Sequence, residues 1–415
     1  MTKIRALTLG LFCVVVLATN LMGVVTASPP AVVVGACYTQ YPPPLHYPTI
    51  QAGVTNVASG GTVYVCPGIY PEQVHINQPL YIVGVQVSTA DSVVITPPSP
   101  MIANTDDFTN PIAAQLWVDA ATGVTIANLT VDGNNNGLPA GGPANLVGVY
   151  YRNASGTASY VNAINQNQGP YTSSSLGFGI LVASGGGGSS TVTVKNSYVA
   201  NYSKNGIVAR YPQTTATFTI NRVFGQGPLA GDAENGIEFA YGATGTATFN
   251  TVMNNWYLPR GTSAGSGIIV YDSKNVTSNN NVIGNNQYGI TYTSATSGGA
   301  DNGTINSNNV YATQWLDGID VCSNNNTVKS NTVIGSDESA IHLDASCGST
   351  GNFNTVTGNI ISAACAGVLQ DPGTSGNGVF TSNFFNTVTN TVLNAATCGP
   401  PLSPVNGKQY DKVSP

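Results

Sequence analysis

Between Gly148 and Gln370 one four-residue phrase occurs nine times: a small residue, an aliphatic residue, any residue, then a mostly apolar one. The copies are GVYY from Gly148, GILV from Gly179, GIVA from Gly206, GIEF from Gly236, GIIV from Gly267, GITY from Gly289, GIDV from Gly318, AIHL from Ala340 and GVLQ from Gly367. They follow one another at steps of 22 to 31 residues. A short strand recurring at such a period marks a stacked solenoid, in which each repeat buries its apolar face only against its neighbours.

Within a copy the apolar residues alternate. Ile237 and Phe239 point one way and Glu238 the other, as period two requires of a strand. Further strands follow Gly, Ser or Asn turns, as in TVTVKNSYV from Thr191, TATFTINRVF from Thr215, GTATFNTVM from Gly245 and NTVTGNIIS from Asn354. Two or three short strands per copy without helical periodicity predict a coil that climbs ~4.8 Å per circuit and builds three parallel sheets. Asn196, Asn221, Asn250, Asn281, Asn308, Asn331 and Asn359 recur near the turns. Asparagine tolerates left-handed backbone, and its amide can bond the next coil, so these residues are expected to form ladders rather than ligands.

Residues 1–27 read as a signal peptide: Lys3 and Arg5, an apolar run from Leu7 to Val25, and small residues before Ser28. Six of the seven cysteines then remain, Cys37, Cys66, Cys322, Cys347, Cys365 and Cys398. An even number in an exported chain indicates disulfides, with Cys37–Cys66 and pairs among the last four the economical connectivity. The protein is expected to be secreted, periplasmic or in the cell envelope, monomeric, and without a membrane span once the signal is removed. Only 7% of residues are charged and the net charge is −6, which excludes nucleic acid as a partner. Residues 28–48 read as an extended lead-in and 396–415 as a tail that covers or extends from the last coil.

The segment from Tyr47 reads as a short helix, with Ile50, Val54 and Val57 on one face and Gly60-Gly61 at its end, and Thr62 onward as three strands. With the Pro67-Gly68-Ile69-Tyr70-Pro71-Glu72 phrase of pectinesterase type and the nine copies, residues 49–395 resemble the pectin-lyase-like right-handed β-helix superfamily. The resemblance implies an all-β, right-handed parallel β-helix with a short N-terminal capping helix. It leaves the activity open, since the superfamily holds lyases, hydrolases, esterases, epimerases and proteins without known catalysis.

If the second residue of each phrase points inward, the third forms an outward column: Tyr150, Leu181, Val208, Glu238, Ile269, Thr291, Asp320, His342 and Leu369. A second column holds Arg152, Ala183, Arg210, Ala240, Tyr271, Thr293, Cys322, Asp344 and Asp371. Five of the eighteen acidic residues, Asp317, Asp320, Asp337, Glu338 and Asp344, fall within 317–344, together with His342. Carboxylates stacked ~4.8 Å apart repel, so one should hold its proton to a higher pH. A protonated acid beside an ionised one suits glycosidic bond cleavage, and the same oxygens suit Ca²⁺. A solvated polar face is the third reading.

Asp317-Gly-Ile-Asp320 followed by Asp337-Glu338-Ser-Ala-Ile341 resembles the polygalacturonase-type hydrolases, with Trp315-Leu316 in place of their Asn-Thr and no G-H-G or R-x-K phrase. The resemblance implies Asp317, Asp337 and Glu338 as acid and base residues. Asp320, His342 and Trp315 are the expected substrate contacts, since an aromatic ring suits a sugar face. Two functions follow: action on or binding of a polysaccharide, by hydrolysis or elimination at an acidic side groove, or a non-catalytic envelope, adhesive or glycan-binding solenoid.

Overall fold

The computed structural model describes residues 28–398 except 38–44, 87–91, 140, 141, 143, 169–175, 229–231, 259–263, 296–298, 314, 349 and 380. The expected signal peptide, 1–27, and the part of the expected tail beyond 398 lie outside the described residues. One coil shows the plan. Asn235–Ala240 carries the phrase, Thr244–Thr248 and Thr251–Met253 follow, and Ser266–Tyr271 opens the next circuit. Each strand pairs in parallel with its counterpart one coil on, giving three sheets around a single core. The one antiparallel pairing among the described residues joins Thr105–Asp106 to Pro111–Asp119.

The phasing read from the sequence is the observed one. Val149, Ile180, Ile207, Ile237, Ile268, Ile290, Ile319, Ile341 and Val368 are all fully buried in the core. The outward column is continuous in register from Tyr150 through Glu238, Asp320 and His342 to Leu369. The small first residue of the phrase has a steric cause. A Cβ on Gly236 would lie 2.1 Å from Val252 Cγ1 and 2.6 Å from Gly267 O, and Gly206 and Gly267 are crowded in the same way.

The asparagine ladder runs from Asn221 through Asn250, Asn281, Asn308, Asn331 and Asn359 to Asn383. At each step the backbone N–H and the side-chain amide donate to the next Oδ1 at 2.9–3.0 Å. Two details differ from expectation. Asn196 lies one position outside the ladder, whose first rung is the Ser197 N–H donating to Asn221 Oδ1. The left-handed residue at this corner is the one before each ladder asparagine from Asn221 to Asn359, so Ile220 and Phe249 both take φ of 57°. The amide ladder overrides residue preference there.

At the amino-terminal end, helix α1 (Ile50–Asn56) is capped by Thr49. Glu72 accepts hydrogen bonds from the N–H groups of Ile50 (2.8 Å) and Gln51 (3.0 Å), and the Tyr70 hydroxyl donates to Cys66 O. The pectinesterase-like phrase therefore serves this cap, because free N–H groups at a helix start favour a carboxylate. Ala31–Val34, within the lead-in, pairs with Leu45–Tyr47 and Thr62–Val65. The disulfides are Cys37–Cys66, Cys322–Cys347 and Cys365–Cys398. No helix among the described residues is long and apolar enough to cross a membrane.

Candidate functional site

The outward face of the phrase sheet is not simply solvated: Asn235–Ala240 is buried throughout. Its two ends are covered by chain from elsewhere. The 104–111 loop folds over the early coils, where Phe108 and Tyr211 pack on a second apolar cluster that includes Tyr150, Leu181 and Val208. Tyr150 donates to Asp106 O, and Arg152 pairs with Asp106 and Asp119. At the other end Leu369 packs with Leu393 and Cys398. The column is apolar where it is covered and mostly polar between, where a groove of about 570 Å³ runs past Arg210, Glu238, Tyr241, Tyr271, Tyr288, Thr291, Asp320 and Asp344.

His342 organises the acidic end. Its Nδ1 lies 3.1 Å from Asp317 Oδ2 and its Nε2 lies 3.2 Å from Asp371 Oδ1. With an oxygen acceptor at both nitrogens, the ring is an imidazolium that donates twice. Burial opposes that charge, but the Asp317 charge and hydrogen bond, with Asp320 and Asp344 behind, outweigh it and raise the pKa to about 11. Asp317 Oδ1 also accepts from the Ser339 N–H (3.0 Å) and hydroxyl (2.5 Å). Asp371 accepts from the Ala345 N–H. Burial pushes Asp371 up, yet this bond and those with Asp344 and His342 hold it below the usual range.

Asp320 stands one coil before His342 in register and only 4% exposed. Burial first, then the Asp344 charge, hold its carboxyl well above the usual carboxylate range. Its Oδ1 has no hydrogen-bond partner among the described residues, which disfavours the ionised form further. Asp344 is raised by burial, with the bonds from the Ser346 N–H (2.6 Å) and hydroxyl (2.9 Å) opposing. Burial and the Asp317 charge lift Glu338 to about 7.

The expected site residues thus separate. Asp317, Asp320 and His342 come together, with one polar atom of each within 4.8 Å of the others. Glu338 sits beside them, half-buried at a corner. Asp337 is buried and accepts the Trp315 N–H at 2.7 Å. Trp315 is 3% exposed and packs edge-on against Trp256 at 5.3 Å, so its ring faces protein. Asp344 and Asp371 were not among the expected contacts, although they stand consecutively in the second outward column. Ca²⁺ wants six to eight oxygens. Here the centre of the oxygen cluster is already filled by an imidazolium with both nitrogens engaged, so the donor set does not fit that ion. Cys322 and Cys347, close to Asp344, are bonded to each other and offer no thiolate.

A family profile described as a right handed beta helix region matches residues 117–299. Solved structures of the same architecture include a variant of the periplasmic alginate epimerase AlgG, at 14% identity and TM-score 0.54, covering 80% of this chain and 84% of that one. The chain is a right-handed parallel β-helix. The β-helix also matches the Dettilon tailspike protein (14% identity, TM-score 0.56, 80% of this chain and 62% of that). The lacto-N-biosidase of Eubacterium ramulus matches at 12% identity and TM-score 0.56, over 88% of this chain and 68% of that. At such identities the shared property is the fold. No curated protein matches the β-helix by sequence.

Proposed function

We propose that the protein is an exported glycan hydrolase whose polysaccharide substrate lies along the groove, across the coils. The observation that carries this reading is the placement of Asp320, a carboxyl only 4% exposed whose Oδ1 meets no described donor, on an open groove beside a second carboxyl, Asp344. Glycosidic cleavage needs that pairing. Asp320 donates its proton to the leaving oxygen. Asp344, held by Ser346, passes its proton to the hydrogen-bonded Asp371 and, as the carboxylate, activates water or stabilises the oxocarbenium ion. The Asp317–His342–Asp371 array behind them touches no substrate; it fixes the local field and positions both acids.

The groove also suggests the charge of the glycan. Lys204 is paired with Asp232 at 2.6 Å and Arg210 faces Asp107 at 3.6 Å, so both groove-lining cations are already compensated. Glu238 and Asp344 line the same floor. A neutral polysaccharide suits this lining better than a polyuronate. The fold lends support, since an alginate epimerase and a lacto-N-biosidase share it, and three disulfides suit an oxidising compartment.

A second reading, glycan binding without catalysis, is favoured by one observation: Asp317 and His342 satisfy each other's bonds while almost sealed from solvent. The test is incubation with neutral and uronic-acid polysaccharides, following new reducing ends and unsaturated uronates separately. Reducing ends from a neutral glycan, without unsaturated products, support hydrolysis. Unsaturated products would replace it by elimination. Retention of a glycan without any product would leave the binding reading.

A further inference from the structure

Glu238 lies in the same outward column as Asp320, three coils away through Ile269 and Thr291. At one strand spacing per coil the two side chains are ~14 Å apart along the groove. Glu238 is 6% exposed. Both of its amide donors, Asn205 Nδ2 and Asn235 Nδ2, bond the same oxygen, Oε2. No described residue donates to Oε1, and Glu238 lines the groove. Asn235 is held in turn, its Oδ1 accepting the Ser266 N–H at 3.1 Å. A buried carboxylate fixed by one oxygen with the other free is an acceptor in want of a donor.

Tyrosine rings flank this carboxylate. Tyr211 and Tyr241 stack at 5.9 Å, and Tyr241 meets Tyr271 edge-to-face at 5.5 Å. Tyr241 is 46% exposed, and with Tyr271 it lines the groove. Burial first and the Glu238 charge among the further causes hold both phenols above the usual tyrosine range, so they stay protonated donors. Partly exposed rings beside a fixed acceptor match the two faces of a pyranose, apolar C–H groups on one side and hydroxyl donors around the rim.

We propose that Glu238, Tyr241 and Tyr271 form a second sugar subsite, separate from the acidic end, that takes a neutral hydroxyl-bearing pyranose of the same glycan chain. This deepens the hydrolase reading and rests on it only for the class of ligand. Glu238 Oε1 accepts from sugar hydroxyls, and Tyr241 carries the ring. A chain must be long enough to bridge ~14 Å to reach both this subsite and Asp320, so affinity steps up with length.

The test uses mature protein carrying Asp320→Asn, so that oligosaccharides stay intact, and calorimetric titration with neutral gluco-, galacto- and manno-oligosaccharides from disaccharides upward. The expected result is an affinity step at the bridging length. Adding Glu238→Gln or Tyr241→Ala should then weaken long oligosaccharides by about tenfold or more and erase the step. Tyr241→Ala alters an exposed ring, so it keeps the test sound if Glu238→Gln disturbs folding. Binding that is independent of length, or unchanged in both variants, would overturn the subsite alone. No binding of any neutral oligosaccharide would overturn the subsite and the hydrolase reading together.

Discussion

His342 and Asp317 form a buried ion pair at 3.1 Å between neighbouring coils, on the outward side of a strand whose inward side is hydrocarbon. The pair is closed at its far end by Asp371, so a single histidinium serves two carboxylates.

Its pH dependence has a definite sign. The folded pKa of about 11 lies above the unfolded value near 6.5, so the stability that His342 contributes is complete below about pH 6.5 and is lost as pH rises toward 11. His342→Gln should destabilise by about 3 kcal/mol at neutral pH, because buried Asp317 and half-buried Asp371 lose their cation. Urea unfolding of both proteins across the alkaline range should show the gap closing as pH rises. A gap that stays constant would contradict the pairing.

The ladder gives a second expectation. Asn281→Ala removes the acceptor for the Asn250 N–H and amide, and the donor to Ala247 O and Asn308 Oδ1. A loss of about 3 kcal/mol is expected, with faster hydrogen exchange at the Asn250 N–H.

Phe249 holds left-handed backbone at φ 57° with its ring 59% exposed. Replacing it with Asn, which visits that region more readily, should stabilise by about 1 kcal/mol in the same unfolding assay. A destabilisation would mean that the ring makes a contact worth more than the strain.

The sequence made some of this legible and hid the rest for identifiable reasons. Ile237 inward and Glu238 outward follow from period two within a strand, and the crowding at Gly236 locks that phase. Cys37–Cys66 follows from an amino-terminal cap that holds only those two cysteines. Asp337 and Trp315 were harder. Asp337 lies at the corner between Thr332–Ser336 and Ser339–Leu343, where alternation does not extend, and Trp315 has φ 75°. Side-chain direction at a corner depends on such dihedrals, which composition does not reveal. Nor does alternation show that the 104–111 loop and the chain near Cys398 cover the outward face, since both come from distant sequence.

The central claim is that Asp320 is the proton donor of a glycan hydrolase. It is tested most directly by wild-type protein and Asp320→Asn, both shown to be folded, assayed for reducing-end release from the neutral polysaccharides. Wild-type activity that falls by about 10²–10⁴-fold in the variant is the expected result. Equal activity in the two proteins, or none in the folded wild type, would contradict the claim.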